Sequence, residues 1–135
     1  MQFVFLPANC EIMKSRILVV DDNEFMLSMM SHILCSQGYE VETLNRAAGL
    51  FEHIDTYQPN LIILDAQLPD GDGRDLCSAI KQSKAFNHIS VVMCSGMADI
   101  DDCHNQPGPP DAILPKPFDI DQLIGLVDSS VSSAA

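Results

Sequence analysis

Four short stretches of this chain, residues 17–20, 61–64, 89–94 and 112–114, are apolar almost throughout. A strand that is hydrophobic on both faces must be covered on both faces, which places it inside a parallel sheet flanked by helices. No other feature narrows the fold as much. A fifth stretch, 40–44, alternates polar and apolar residues and is expected at the sheet edge. Between the stretches the apolar period becomes helical. Phe25, Met26, Met29, Met30, Ile33 and Leu34 form one stripe, with Gly38 placed to end it. Ala47, Leu50, Phe51 and Ile54 form a second before Pro59, and Leu76, Cys77 and Ile80 mark a third. Ile120, Leu123, Ile124 and Val127 repeat the spacing behind Asp119, a candidate N-cap. Residues 97–106 offer at most about two turns before Pro107, Gly108, Pro109 and Pro110 end any helix. The pattern is β-α five times over, with the fourth helix short or degenerate. It predicts an α/β fold, a doubly wound five-stranded parallel sheet with about five helices on both faces.

A chain of 135 residues makes one domain that needs neither disulfide nor metal merely to stay folded. Residues 1–15 read as a loose N-terminal extension, with Met13 as an alternative start, 16–130 as the domain and 131–135 as a Ser/Ala tail. Seven Lys and Arg against 19 Asp and Glu leave a net charge of −12. Such a surface has no cationic footprint for nucleic acid and is repelled by anionic membranes. The five cysteines are odd in number and lack any C-x-x-C pair, which argues against structural zinc and against a secreted disulfide framework. Reduced thiols in the cytoplasm are expected. No apolar run approaches the roughly 18 residues of a membrane span. The Phe3-Val4-Phe5-Leu6 run is too short for a signal peptide and is broken by Pro7.

In a doubly wound sheet, functional groups gather at the carboxyl ends of the strands. Asp21 and Asp22 stand after the first strand, Asp65 after the third, Ser95 after the fourth and Lys116 after the fifth. Singly, each has an ordinary explanation: a helix cap, a loop start, a turn with Gly96, a solvated charge beside prolines. Together they put three carboxylates, a hydroxyl and an ammonium at one edge. Two carboxylates about 4 Å apart repel by about 4 kcal/mol at an effective dielectric of 20. A cluster of this kind either raises a pKa sharply or holds a cation. Oxygen donors alone favour Mg²⁺, which keeps waters and leaves a position for a phosphate oxygen. Asp65 is then a candidate carboxylate nucleophile, with Ser95 and Lys116 placed to neutralise a transferring phosphoryl group.

At this point the sequence resembles the receiver domains of two-component response regulators, from about residue 14 to 127. The resemblance rests on Val19-Val20-Asp21-Asp22-Asn23, Ile63-Leu64-Asp65, Leu68-Pro69-Asp70-Gly71-Asp72-Gly73, Cys94-Ser95-Gly96 and Leu114-Pro115-Lys116-Pro117-Phe118. Asp22, Asp65, Ser95 and Lys116 are separated by 43, 30 and 21 residues, spacings similar to the family's. It implies the strand order 2-1-3-4-5. It further implies that Asp65 accepts a phosphoryl group from a sensor histidine kinase or phosphotransfer protein. Asp22, Asp65 and the Gln67 backbone carbonyl would ligate Mg²⁺, and Asp21 would hold a metal-bound water. Lys116 would pair with the acyl phosphate, Ser95 would bond a phosphate oxygen, and Gly96 would leave the approach to Asp65 open. The Lys116-Pro117 bond is expected to be cis. Such a domain is no turnover enzyme, although it catalyses its own phosphorylation and dephosphorylation. It would be a monomer or a weak, phosphorylation-dependent dimer, with its downstream protein partner unspecified.

Two departures bear on output. The family's switch aromatic, three residues before the lysine, is here Ile113, and the degenerate fourth helix belongs to the same face. A receiver-like interaction domain that works without phosphorylation therefore stays open. A Mg²⁺-dependent phosphatase would need a second Asp where Gln67 stands, and a flavin module would not place Asp21-Asp22-Asn23-Glu24 against a phosphate. With only the tail after its last helix, the domain is expected to be either stand-alone or cut from a longer regulator or hybrid kinase.

Overall fold

The computed structural model describes residues 15–96 and 105–134, with side chains as far as 131. Five strands form the sheet: β1 (Arg16–Val20), β2 (Glu40–Leu44), β3 (Leu61–Asp65), β4 (Ser90–Ser95) and β5 (Ala112–Pro115). Four helices lie among the described residues: α1 (Glu24–Ser36), α2 (Leu50–Tyr57), α3 (Gly73–Gln82) and α4 (Ile120–Ala134). All pairings are parallel, in the order β2-β1-β3-β4-β5. The alternating stretch 40–44 is the edge strand its pattern predicts. Of the short helix expected over 97–106, residues 97–104 lie outside the described residues, as do residues 1–14 of the N-terminal extension, Met13 among them. None of the described helices is long and apolar enough to cross a membrane.

Strand residues alternate between two half-cores, as the pleat requires. Leu18, Val20, Ile62, Leu64, Val91 and Met93 meet Leu50 and Ile54 of α2 and Cys77 and Ile80 of α3. Their neighbours Ile17, Val19, Leu61, Ile63, Val92 and Cys94 meet Leu27, Met30 and Leu34 of α1 and Leu123 and Val127 of α4. Burying a side chain of this size is worth about 1.5–3 kcal/mol, so the double-sided burial of β1, β3 and β4 dominates the packing.

The helix ends follow local chemistry. Asn23 Oδ1 caps α1 by accepting the Met26 N–H at 3.1 Å, and Asp72 Oδ1 caps α3 through the Arg74 N–H at 2.9 Å. At α4, Asp119 Oδ1 accepts from Gln122 N at 2.8 Å while Gln122 Oε1 accepts from Asp119 N at 2.9 Å, a reciprocal capping box. Two expectations are corrected. Phe25 is 76 % exposed, and Leu27, outside the predicted stripe, is buried. With α1 starting at Glu24 the inward face is Leu27, Met30 and Leu34; Phe25 points away and Met26, Met29 and Ile33 flank the core. The tail assigned to 131–135 is helical through Ala134, because Ser130 is buried and Val131 packs on the second half-core.

Leading into β5, the chain is fastened to α3. Gln106 Nε2 donates to the Arg74 carbonyl at 2.9 Å and Ser78 Oγ to the Pro107 carbonyl at 2.6 Å. Gly108 adopts φ +65°, and a Cβ there would come within 2.8 Å of the Ser78 carbonyl. Asp111 completes the seam, accepting from Lys81 Nζ and from Val91 N, each at 2.8 Å.

Candidate functional site

The three carboxylates converge. One oxygen each from Asp21, Asp22 and Asp65 lies within 4.8 Å of the others. Asp65 ends β3 and Asp21 follows β1, so parallel pairing of the two strands brings them to the same edge. Because Asn23 takes the capping role at α1, neither aspartate is needed for it. Lys116 arrives from the end of β5, its main chain held by an N–H bond to the Ser95 carbonyl at 2.8 Å. Its Nζ stands 3.3 Å from Asp65 Oδ1 and 3.7 Å from Asp21 Oδ2. The Lys116-Pro117 bond is cis.

The acidic pair divides its labour. Asp21 and Asp65 are buried, whereas Asp22 is exposed. Burial pushes the Asp21 carboxyl above its ordinary range; the bond its Oδ1 accepts from Asn23 N at 2.9 Å opposes this, and the Asp65 charge reinforces it. For Lys116, burial alone would lower the pKa, yet the Asp65 and Asp21 carboxylates outweigh it and hold the ammonium above its usual value. Asp65 Oδ1 also accepts the Gln67 N–H at 3.2 Å. The donor set is all carboxylate oxygen, with one member open to solvent, which suits a hard cation that retains waters.

Ser95 is 1 % exposed at the end of β4, and its hydroxyl donates to the Gly96 carbonyl at 3.1 Å. A Cβ on Gly96 would meet no described atom within 4 Å. Gln67 opens a two-residue hairpin in which Gln67 and Leu68 pair with Asp72 and Gly71. Ile113 is half-buried on β5, in register with Met93 and packed on the α2–α3 half-core.

Three features escaped the sequence. At Gly73 a Cβ would lie 2.0 Å from the Asp65 carbonyl oxygen, and the Gly73 N–H donates to the Ala66 carbonyl at 2.9 Å, so α3 begins against the backbone of Asp65 itself. The motif signalled a glycine there without its reason. Cys94, in register with Asp65, is a buried thiol beside the cluster, pushed up to about 12 by its burial and so kept un-ionised. Asp70, in the hairpin turn, binds two amides of the loop after β2, and no local pattern announces partners so far upstream.

Comparison with known proteins agrees with this fold. The family described as the response regulator receiver domain matches residues 17–128. The chain is 34 % identical over 126 residues to the chemotaxis protein CheY of Bacillus subtilis, covering 89 % of this chain and 100 % of that protein. It is 32 % identical over 117 residues to the DNA-binding transcriptional regulator NtrC of Azospirillum brasilense, covering 87 % of this chain but 24 % of the relative. The chain thus spans about a quarter of the length of the NtrC regulators it matches. Among solved structures, the CheY-like receiver domain protein of Methanospirillum hungatei superposes with a TM-score of 0.80 at 27 % identity, covering 90 % of this chain and 96 % of that one. The receiver domain of NtrX from Brucella abortus gives 0.77 at 30 % identity, covering 87 % and 98 %. With the family matched across nearly all of its described sheet, and a full-length relative above 30 % identity, the chain belongs to the response regulator receiver domains.

Proposed function

We propose that this receiver domain takes a phosphoryl group onto Asp65 from a phosphohistidine of a sensor histidine kinase or phosphotransfer protein. The observation that carries the proposal is the Lys116 ammonium 3.3 Å from Asp65 Oδ1, inside a cluster of three carboxylates. An Asp65 carboxylate oxygen attacks phosphorus, the phosphorus–nitrogen bond breaks, and the electron pair leaves with the imidazole nitrogen. Asp22, Asp65 and the Gln67 carbonyl would hold Mg²⁺, with Asp21 reached through a water. That ion would supply neutralising charge to the phosphoryl oxygens. Lys116 stays paired with the developing acyl phosphate, exchanging one carboxylate charge for phosphoryl charge. The Ser95 hydroxyl turns from the Gly96 carbonyl to a phosphate oxygen, Gly96 leaves the approach to Asp65 open, and Ile113 on the neighbouring strand registers the change. Water later hydrolyses the acyl phosphate within the same site, so the domain is a reactant in its own phosphorylation cycle and no turnover enzyme. The same reading makes it a cytoplasmic protein, monomeric or weakly dimeric on phosphorylation, that hands its signal to a protein partner and contacts neither nucleic acid nor membrane through this chain.

Incubation with Mg²⁺ and acetyl phosphate tests this. One phosphoryl group, labile to hydroxylamine, is expected on the parent protein and none on Asp65→Asn. Equal labelling of that variant would remove Asp65 from its role. A parent that stays unmodified would leave the phosphorylation-independent interaction domain.

A further inference from the structure

Two loops rise beside the acidic cluster without belonging to it. One joins β2 to α2 at residues 45–49; the other is the hairpin from Gln67 to Asp72. They are tied together by a single side chain. Asp70 Oδ1 accepts the Ala47 N–H at 2.7 Å and Oδ2 accepts the Ala48 N–H at 2.9 Å. Both carboxylate oxygens are therefore engaged by consecutive amides, a charge-assisted arrangement stronger than a neutral pair. These bonds hold the Asp70 carboxyl below its ordinary range although it is open to water. The loops also touch: a Cβ on Gly71 would lie 3.0 Å from Ala47 Cβ.

From the clamp the contacts run to the cluster on both sides. The 45–49 loop is tied to the start of α1 by Asn45 Nδ2 donating to Glu24 Oε2 at 3.0 Å, two residues beyond Asp22. At the other end of the hairpin, the Gln67 N–H rests on Asp65 Oδ1. Asp22, Asn45, Arg46, Pro69 and Asp70 enclose one shallow depression of ≈ 340 Å³. The loop carrying Asp22 and the hairpin carrying Gln67 are thus cross-braced through Ala47 and Ala48.

We infer that Asp70 is a positioning residue for the cation site, fixing the hairpin so that the Gln67 carbonyl stays in reach of an ion held by Asp22 and Asp65. The inference rests on the metal site of the proposed function and adds to it a residue that touches neither ion nor phosphoryl group. Partners of metal ligands that hold them in place are worth about 10–100-fold in affinity, and this clamp acts at the low end because it is exposed.

Backbone amide shifts titrated with Mg²⁺ in the full chain, together with amide exchange measured without metal, make the test. Asp70→Ala is expected to speed exchange at Ala47 and Ala48 and to raise the Mg²⁺ midpoint about 10-fold. Asp70→Asn, which keeps one acceptor oxygen, should fall between parent and alanine on both measures. At saturating Mg²⁺ the acetyl phosphate reaction of Asp70→Ala should return to the parent rate, because no reacting group has been removed. Faster exchange with an unchanged midpoint would reduce Asp70 to a loop fastening and overturn the inference. So would a raised midpoint with unchanged exchange, which would assign the effect to charge alone. A parent showing no Mg²⁺-dependent shifts would overturn the metal reading and this one with it; a parent that binds while the alanine variant binds equally well would overturn this one alone.

Discussion

Replacing Gly73 by alanine should damage the domain far beyond the one methyl group it adds. The new Cβ would sit 2.0 Å from the Asp65 carbonyl oxygen and 2.9 Å from both Ala66 Cα and the Asp65 carbonyl carbon. All three obstacles are main chain, so no side chain can swing aside. Reaching even 3.0 Å requires about 1 Å of relative movement between the start of α3 and the end of β3. Overpacking on this scale costs about 1–3 kcal/mol. The Gly73–Ala66 main-chain bond is strained at the same time, worth about another 1 kcal/mol. Alanine's better helix propensity returns up to about 1 kcal/mol. The net loss is about 2 kcal/mol, a fall in Tm of about 8 °C for a domain of this size. Function should suffer more, because the displaced backbone carries Asp65, the proposed phosphoacceptor, and a misplacement of about 1 Å in a reacting group can cost about 100-fold in rate. Thermal melts by circular dichroism and the rate of labelling by acetyl phosphate measure the two effects. Gly125→Ala is the internal control: it lies within α4 with nothing within 4 Å of its Cβ position, and should stabilise by up to about 1 kcal/mol. A Gly73→Ala protein that melts within 2 °C of the parent, on the scale of about half a kcal/mol, and labels at the parent rate would refute the reasoning.

Two further outcomes follow from the site and its surroundings. Because burial raises the Asp21 carboxyl, its ionised form is disfavoured in the fold; the stability tied to its protonated state is present below the unfolded value of 3.8 and is lost as pH rises through the raised folded value. Metal-free Asp21→Asn should therefore melt above the parent at neutral pH, the gap closing toward acid, whereas Asp22→Ala should bring no such gain because Asp22 is exposed; melts across pH that show equal gains, or none, would contradict this. Ile113 is β-branched and stiff at χ1, and residues 106–111 are fastened to α3, so a beryllofluoride mimic should change amide exchange across residues 105–118 only modestly; broad protection there would reveal a full switch by another route.

Much of this architecture was legible because burial on both faces leaves a coarse mark. The runs at 17–20, 61–64 and 89–94 had few other places to go, and once their order was set, Asp21, Asp65, Ser95 and Lys116 had to share an edge. Helix faces were less legible wherever apolar residues outnumber the positions that can be buried. In α1 the period alone did not choose between Phe25 and Leu27; the start of the helix at Glu24 did. Nor did sequence separate the members of the acidic pair, since adjacent carboxylates look alike until the turn after β1 buries Asp21 and leaves Asp22 outside. Asp70 was invisible for a different reason. Its partners are amides, which every residue but proline carries, and only the fold brings the right two within reach.

The alternation that sorts strand residues into two half-cores continues to the last residue of each strand. Asp65 has the parity of Leu61 and Ile63, on the side of α1 and α4, whereas Ser95 has the parity of Val91 and Met93, on the side of α2 and α3. The sheet is therefore a partition one backbone thick, and between the strands the two compartments share only peptide hydrogen bonds. An acyl phosphate on Asp65 that reached the Ser95 hydroxyl would span that partition at its rim. Tension applied from the compartment of α1 and α4 would then arrive on the side of the sheet where Ile113 packs, through the end of β4.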